Sequence, residues 1–480
     1  MAPGGLAQQL AQSELRLRPL AYELDLRVDF EAETLRGSAR LTVVNASPRP
    51  ADELTLLLYR LLRVTAVADV AGEPLTFEQQ VLPLDDWPEM HVNLVVAPLS
   101  RPLAPGDSTA FAIRWEGRLE GYQETGMRYV QDRIDPDFTI IRPDARAYPE
   151  IGLPSLAVIR GVGLPAFTYR ASVTVPESHT VASVGQLVER TVRDGLATFV
   201  YISRKPSWRM DFAIARYDVL EDGADRVFFF PRHAAGARRV LAAVDDSRRL
   251  YTEWFGPLRD STGFTVIEIP DGWGSQKDVT GIIQAAAAFR DAARAREVYH
   301  EVAHFWTLSV NDQPSPRWDE GLASYLEYRV TDYLRAEGVP ERLPAVAAQV
   351  ATALEGIRQS FQEHPERREI PLSEYGRHQL TDLSYRVGLV LFAVLEQVVG
   401  PQQFNRIVGE YYRRFAPAGA TTDEFVVLAR SVSDQDLGPF FHDWMYTTGW
   451  YGHVRDGATL QDLVMLYREA EPETERAPAP

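Results

Sequence analysis

Cysteine is absent from all 480 residues. That excludes disulfides, cysteine-ligated zinc and thiol nucleophiles, although it does not fix the compartment. Blocks of Lys or Arg are lacking too, and the formal net charge is −17. A general nucleic-acid binder needs a basic face, so no nucleic-acid partner is expected. Long apolar runs are also missing. The longest near the C-terminal end, VGLVLFAVLEQVV (Val387–Val399), is too short to span a bilayer and contains Glu396, so it reads as a buried helix. The first residues, MAPGGLAQQLAQSELRLRP, have neither the basic start nor the continuous apolar stretch of a signal peptide. These absences lead to the expectation of a cytoplasmic protein with no membrane partner, monomeric by default.

What is present is 45% hydrophobic residues with ordinary glycine and proline content, enough for two or three domains with sizeable cores. Residues 1–206 read as β: YELDLRVDF, SARLTVVNA, STAFAIRWEG, YRASVTVPE and ATFVYIS alternate apolar and polar residues, with APGD, VPES and RDG as turns between strands. Residues 207–457 begin with strand-like RVFFFP and FTVIEIP and then turn mainly helical. Apolar residues recur at three and four over Arg232–Trp254, Val298–Val310, Glu320–Arg335, Leu343–Gln362, Tyr385–Val399, Pro401–Phe415 and Thr422–Val432. Residues 458–480 end in REAEPETERAPAP and read as a disordered acidic, proline-rich tail. The expected fold class is multidomain α+β: an N-terminal antiparallel β-sandwich or saddle-like sheet, followed by a mainly helical domain.

The chemistry is concentrated in VYHEVAHFWTL, which contains His-Glu-x-x-His. A helix advances 100° per residue, so His300 and His304 lie on one face and can reach one ion. Glu301 is displaced to the side, where it can take a proton from an ion-bound water without ligating the metal. The alternative is three polar residues on an ordinary helix. A hydrolytic zinc needs a third protein ligand, and RWDEGLASYLEY follows as a second helix with Glu320 in its first turn. Glu320 either faces the first helix or only offsets the helix dipole.

Together, HEVAHFW and WDEGLASYLEY resemble the zinc aminopeptidases of the aminopeptidase N family, gluzincins whose core reads HExxH, then a loop, then a Trp-x-Asn-Glu-Gly helix. The resemblance covers about residues 15–455 and includes the closing stretch TTDEFVVLARSVSDQDLGPFFHDWMYTTGW. It implies a thermolysin-like catalytic domain and one zinc per chain on His300, His304 and Glu320, with Glu301 as general base. Tyr385, in LSYRVGLVLF, matches the family tyrosine that hydrogen-bonds the oxyanion; otherwise it is a core tyrosine. Aligning SQKDVTGII on the family's Gly-x-Met-Glu-Asn strand places Asp278 at the glutamate that binds the substrate's amino group. Ser275 and Gln276 then fall at the substrate-contacting residues; otherwise Asp278 is a surface-turn residue. The family pattern makes Thr280–Phe289 a strand, against the helix propensity of QAAAAFRDAARARE.

Four departures stand out. The loop before Glu320 is shorter than usual, and Asp319 replaces Asn. Ile140 stands where the family has an amine-anchoring Gln. The resemblance does not extend to the large C-terminal helical domain of many members, so a two-domain form with a more open cleft is expected. The expected function is therefore a zinc metallopeptidase acting on peptides, foremost an aminopeptidase. The alternatives are an endopeptidase or peptidase of altered specificity, and a non-catalytic peptide-binding scaffold.

Overall fold

Alternation in LRPLAYELDLRVD becomes one long strand, Leu17–Asp29, with Tyr22, Leu24, Leu26 and Val28 buried and Glu23, Asp25 and Arg27 exposed. A pleat sends successive side chains to opposite faces, so such a strand has a wet side and a core side. The computed structural model describes residues 15–155, 166–259, 263–337 and 346–468. Its contacts divide the chain into two units, 1–243 with 260–298, and 244–259 with 299–480.

The first unit is the β-rich one. Leu17–Asp29 lies inside a seven-stranded sheet, and a four-stranded sheet contains Ala51–Tyr59 and Trp87–Leu103. Both sheets feed one apolar cluster, with Leu24, Leu26 and Leu41 from the first and Leu56, Leu58 and Leu94 from the second. Pairing in these sheets is antiparallel with one exception: Leu17–Asp29 runs parallel to Thr168–Pro176. Parallel neighbours need a crossover, and the long excursion between them supplies it.

Strand pairing continues past residue 206, because Phe212–Ala215 pairs with Thr139–Ile141 and Thr180–Ala182. The chain after residue 206 thus adds the central strand of a three-stranded sheet whose other two strands precede it. A five-stranded sheet completes the unit, with Gln276–Asp278 as an antiparallel edge strand beside Gly281–Ala285. The strand expected over Thr280–Phe289 ends at Ala285. Helix propensity prevails from there, giving Ala286–Arg290.

The helices that matter below are α1 (Ala234–Phe255), α2 (Arg296–Ala303), α3 (Trp318–Ala336), α4 (Val346–Glu363) and α5 (Thr381–Val399). The boundary between the two units falls within α1, between 243 and 244. The helix expected to reach Val310 stops at Ala303. Its last turn tightens as Phe305 N–H bonds the Val302 carbonyl, and Asn311 N–H then pairs with the Ala420 carbonyl. The tail expected to be disordered forms a helix at Leu460–Met465, with Leu463 and Val464 buried under a Thr459/Asp462 capping box. The rest of that tail, from 469 onward, lies outside the described residues. Among the described residues no helix is long and apolar enough to cross a membrane.

Within the second unit, α3 and α5 meet at two glycines. A Cβ on Gly388 would lie 2.8 Å from the Gly321 Cα. No other residue permits that approach, and overpacking such a contact costs about 1–3 kcal/mol. The crossing matters because Glu320 adjoins one glycine and Tyr385 stands one turn before the other.

Candidate active site

Helix α2 presents REVYHEVA. Val298, Val302 and Ala303 are buried, and this apolar side fixes the direction in which the histidines point. The second half of α1 anchors it: the Tyr251 hydroxyl donates to the Tyr299 carbonyl at 3.0 Å, and Trp306 Nε1–H donates to the Gly256 carbonyl at 2.9 Å. The two imidazoles then converge. Their Nε2 atoms are 3.2 Å apart, and Glu320 Oε2 is 3.4 Å from His300 Nε2 and 3.2 Å from His304 Nε2. One donor atom from each of His300, His304 and Glu320 falls within 4.8 Å of the others, the one such group among the described residues. Glu301 stands outside this group, as the 100° step around a helix requires.

The opposite ring nitrogens are held as well. His300 Nδ1 faces Glu327 Oε2 at 3.5 Å, and His304 Nδ1 meets the Thr307 hydroxyl at 3.2 Å. A partner on Nδ1 fixes the tautomer that leaves Nε2 free to ligate. The surrounding charges favour a cation at this point. Burial works to lower the His300 pKa, but hydrogen bonds donated to Glu320 and Glu327 and the charge of Glu301 raise it well above its ordinary value. Burial pushes the Glu320 pKa up, yet His304, Arg317 and His300 outweigh it and hold the carboxyl well below its usual range. Glu301, Glu320 and Glu327 are buried, at 8%, 8% and 6% exposure, and Glu320 pairs with the Arg317 guanidinium. With neutral imidazoles the site carries an excess of negative charge. Two imidazole nitrogens and one carboxylate oxygen are a donor set that zinc accepts, and the charge excess favours a divalent cation.

Arg317 and Tyr385 complete the surroundings. The Arg317 guanidinium pairs with Glu320 Oε1, leaving Oε2 toward the histidines. Its backbone is left-handed (φ 57°, ψ 35°), a conformation that costs a long side chain about 1 kcal/mol. The Tyr385 ring stacks on His300 with centroids 6.1 Å apart, and the guanidinium lies 6.0 Å from the Tyr385 centroid. Burial and then the Glu320 charge raise the phenol's pKa, which keeps it a donor.

Glu327, Thr307 and Arg317 do not emerge from the sequence reading. Glu327 could have been found, because it follows Glu320 by two helical turns on the same face. Replacing it with Gln should weaken zinc binding about 10–100-fold, read by competition with a chelator, while thermal melting shows the fold intact. Unchanged affinity would reduce Glu327 to a packing residue.

Ser275, Gln276 and Asp278 lie together in the first unit, on and beside its edge strand. The Ser275 hydroxyl accepts from Ala285 N–H at 3.0 Å, and Gln276 Nε2–H donates to Asp144 Oδ1 at 2.9 Å. Asp278 is only 1% exposed; its Oδ1 accepts from Val279 N–H at 2.5 Å and from the Ser207 hydroxyl at 3.2 Å. Its Oδ2 has no partner among the described residues. Burial, then the charge of Asp211, raises its pKa. Arg209, which pairs with Asp211 at 2.8 Å and Asp144 at 3.0 Å, binds this buried network together. Ile140 is fully buried in an apolar cluster.

Residues 282–444 match the Peptidase family M1 domain. The chain is 21% identical over 459 residues to aminopeptidase M1-A of Oryza sativa subsp. japonica, covering 90% of this chain and 50% of that protein. It is 21% identical over 315 residues to aminopeptidase M1 of Arabidopsis thaliana, covering 60% and 35%. The chain thus spans half the length, or less, of these relatives. Among solved structures, the M1 zinc metallopeptidase from Deinococcus radiodurans superposes with a TM-score of 0.62 at 19% identity, covering 90% of this chain and 95% of that one. A mutant of the same enzyme bound to a Tyr-Ser-Ala substrate gives 0.64 at 20% identity, covering 89% and 94%. These likenesses show a shared fold, the β-rich part followed by a mainly helical catalytic domain that the sequence led us to expect. The likeness to the peptidase family M1 domain thus lies in residues 282–444, the stretch that contains His300, His304 and Glu320, and the fold is shared with an M1 zinc metallopeptidase.

Proposed function

We propose that this chain is a zinc metallopeptidase, and foremost an aminopeptidase. The observation that carries the reading is the convergence of His300 Nε2, His304 Nε2 and Glu320 Oε2, with Glu301 beside them and outside the donor set. These three atoms would hold one zinc ion. When bound, zinc supplies Lewis acidity, acidifying a water and polarising a scissile carbonyl. Glu301 takes the proton of the attacking water on its carboxylate and returns it to the leaving nitrogen. Glu327 and Thr307 keep the imidazoles turned toward the donor cluster. The Tyr385 hydroxyl donates to the oxyanion. Ser275, Gln276 and Asp278 are the proposed groups for the substrate backbone and amino terminus.

One observation favours a second reading. Asp278 is 1% exposed and already accepts two hydrogen bonds, and Ile140 is buried. A substrate ammonium needs a carboxylate it can reach. If Asp278 stays enclosed, cleavage is not tied to a free amino terminus, and the enzyme is an endopeptidase or has altered specificity.

Two peptides of one sequence, with free and acetylated amino termini, separate the readings. Zinc-loaded protein is incubated with each, and products are read by mass spectrometry. Stepwise loss of N-terminal residues from the free peptide alone is the expected result. Internal cleavage of both would establish the second reading. Cleavage of neither by zinc-loaded protein would leave the non-catalytic peptide-binding scaffold.

A further inference from the structure

Arg317 is more than a clamp on Glu320. It offers a planar fork of N–H donors, and one of its nitrogens is engaged by Glu320 Oε1. The other side-chain donors meet no acceptor among the described residues, and the side chain is 40% exposed. The guanidinium therefore stands at the third candidate ligand and beside the Tyr385 ring with unspent hydrogen-bonding capacity facing solvent. Aligned on its glutamate, the Trp-x-Asn-Glu-Gly pattern places Trp at this position, and here the tryptophan follows one residue later as Trp318, 0% exposed in the core. A cationic side chain thus stands where the resembled pattern has an apolar one.

Guanidinium is always ionised and matches the geometry of a carboxylate, which a solvated ammonium does less well. Resting on the metallopeptidase reading, we propose that Arg317 selects substrates that carry a carboxylate on a residue flanking the scissile bond. Glu320 holds the guanidinium in place, so a substrate carboxylate meets a donor already oriented, and a substrate ammonium meets repulsion. The left-handed backbone at Arg317 is consistent with this: strain of that kind persists where the surrounding structure fixes a side chain for use.

The test uses peptides alike except for Glu, Gln or Lys placed, in separate series, on either side of the bond that is cut. The zinc-loaded wild type should prefer Glu over Gln by on the order of tenfold in kcat/KM, with Lys poorer still. Arg317→Gln should bring the Glu/Gln ratio close to one, and Arg317→Lys should keep part of it. Because the readout is a ratio, a general loss of activity or zinc in a variant cancels. A second arm needs no turnover: fluorescently labelled Glu and Gln peptides are titrated onto Glu301→Gln protein with and without Arg317→Gln. Tighter binding of the Glu peptide, lost with Arg317, supports the proposal. Equal or undetectable binding of the two overturns it, as does a ratio that survives Arg317→Gln. If peptides are cut without regard to charge, the selectivity fails and the metallopeptidase stands. If none is cut while the binding preference holds, the catalytic reading fails and Arg317 keeps its role.

Discussion

Glu301→Ala should lower turnover about 10²–10⁴-fold while zinc content stays at the wild-type level. The separation follows from helix geometry. Glu301 is one residue from His300, so it points about 100° away around α2 and takes no part in the donor cluster of His300, His304 and Glu320. Under the proposed mechanism, removing its carboxylate removes the group that would take a proton from water and hand it to the leaving nitrogen, but not a ligand. Glu301 is 8% exposed, and its charge helps raise the pKa of His300. Glu301→Gln keeps the volume and hydrogen-bonding shape without the base, and should be as inactive as Ala. Elemental analysis beside steady-state kinetics on a peptide with a free amino terminus reads both halves. Activity within tenfold of wild type would remove Glu301 from catalysis. Zinc lost along with activity would make it a ligand.

The parts of this site that the sequence makes legible are the local ones. His300 and Glu301 lie in α2 and His304 in the turn directly after it, so the i, i+4 spacing that brings the two histidines to one side is local. Glu320 is legible because a helix start after a turn-rich loop sends the chain back. Tyr385 is different. Its position beside His300 depends on the crossing of α3 and α5 at Gly321 and Gly388, a contact between distant residues; only the family resemblance drew attention to it. Arg317 escaped notice because its place depends on a left-handed backbone that no periodicity reveals. In the β-rich unit, alternation marks strands such as Leu17–Asp29, but not their neighbours. The parallel partner of that strand, Thr168–Pro176, arrives some 140 residues later, and pairing between such distant segments is set by the whole fold. Where local and distant preferences compete, the outcome is split, as at Gly281–Ala285 and Ala286–Arg290.

Tyr385→Phe should lower kcat about 10²–10³-fold, the cost of one oxyanion donor, and leave KM nearly unchanged, because the lost bond forms only in the transition state. Phenylalanine keeps the ring that lies 6.1 Å from the His300 ring and within reach of the Arg317 guanidinium. The packing around the donor cluster is thereby preserved, and zinc content should not change. What is lost is a single O–H, held protonated because burial and the Glu320 charge both oppose its ionisation. A phenol suits the task because it donates to a developing negative charge without bringing a charge of its own that must be desolvated. The division between kcat and KM is the discriminating reading. A raised KM with kcat intact would mean that Tyr385 binds the substrate before reaction. No change in either would return it to the core, as a ring that packs on His300 and does nothing more.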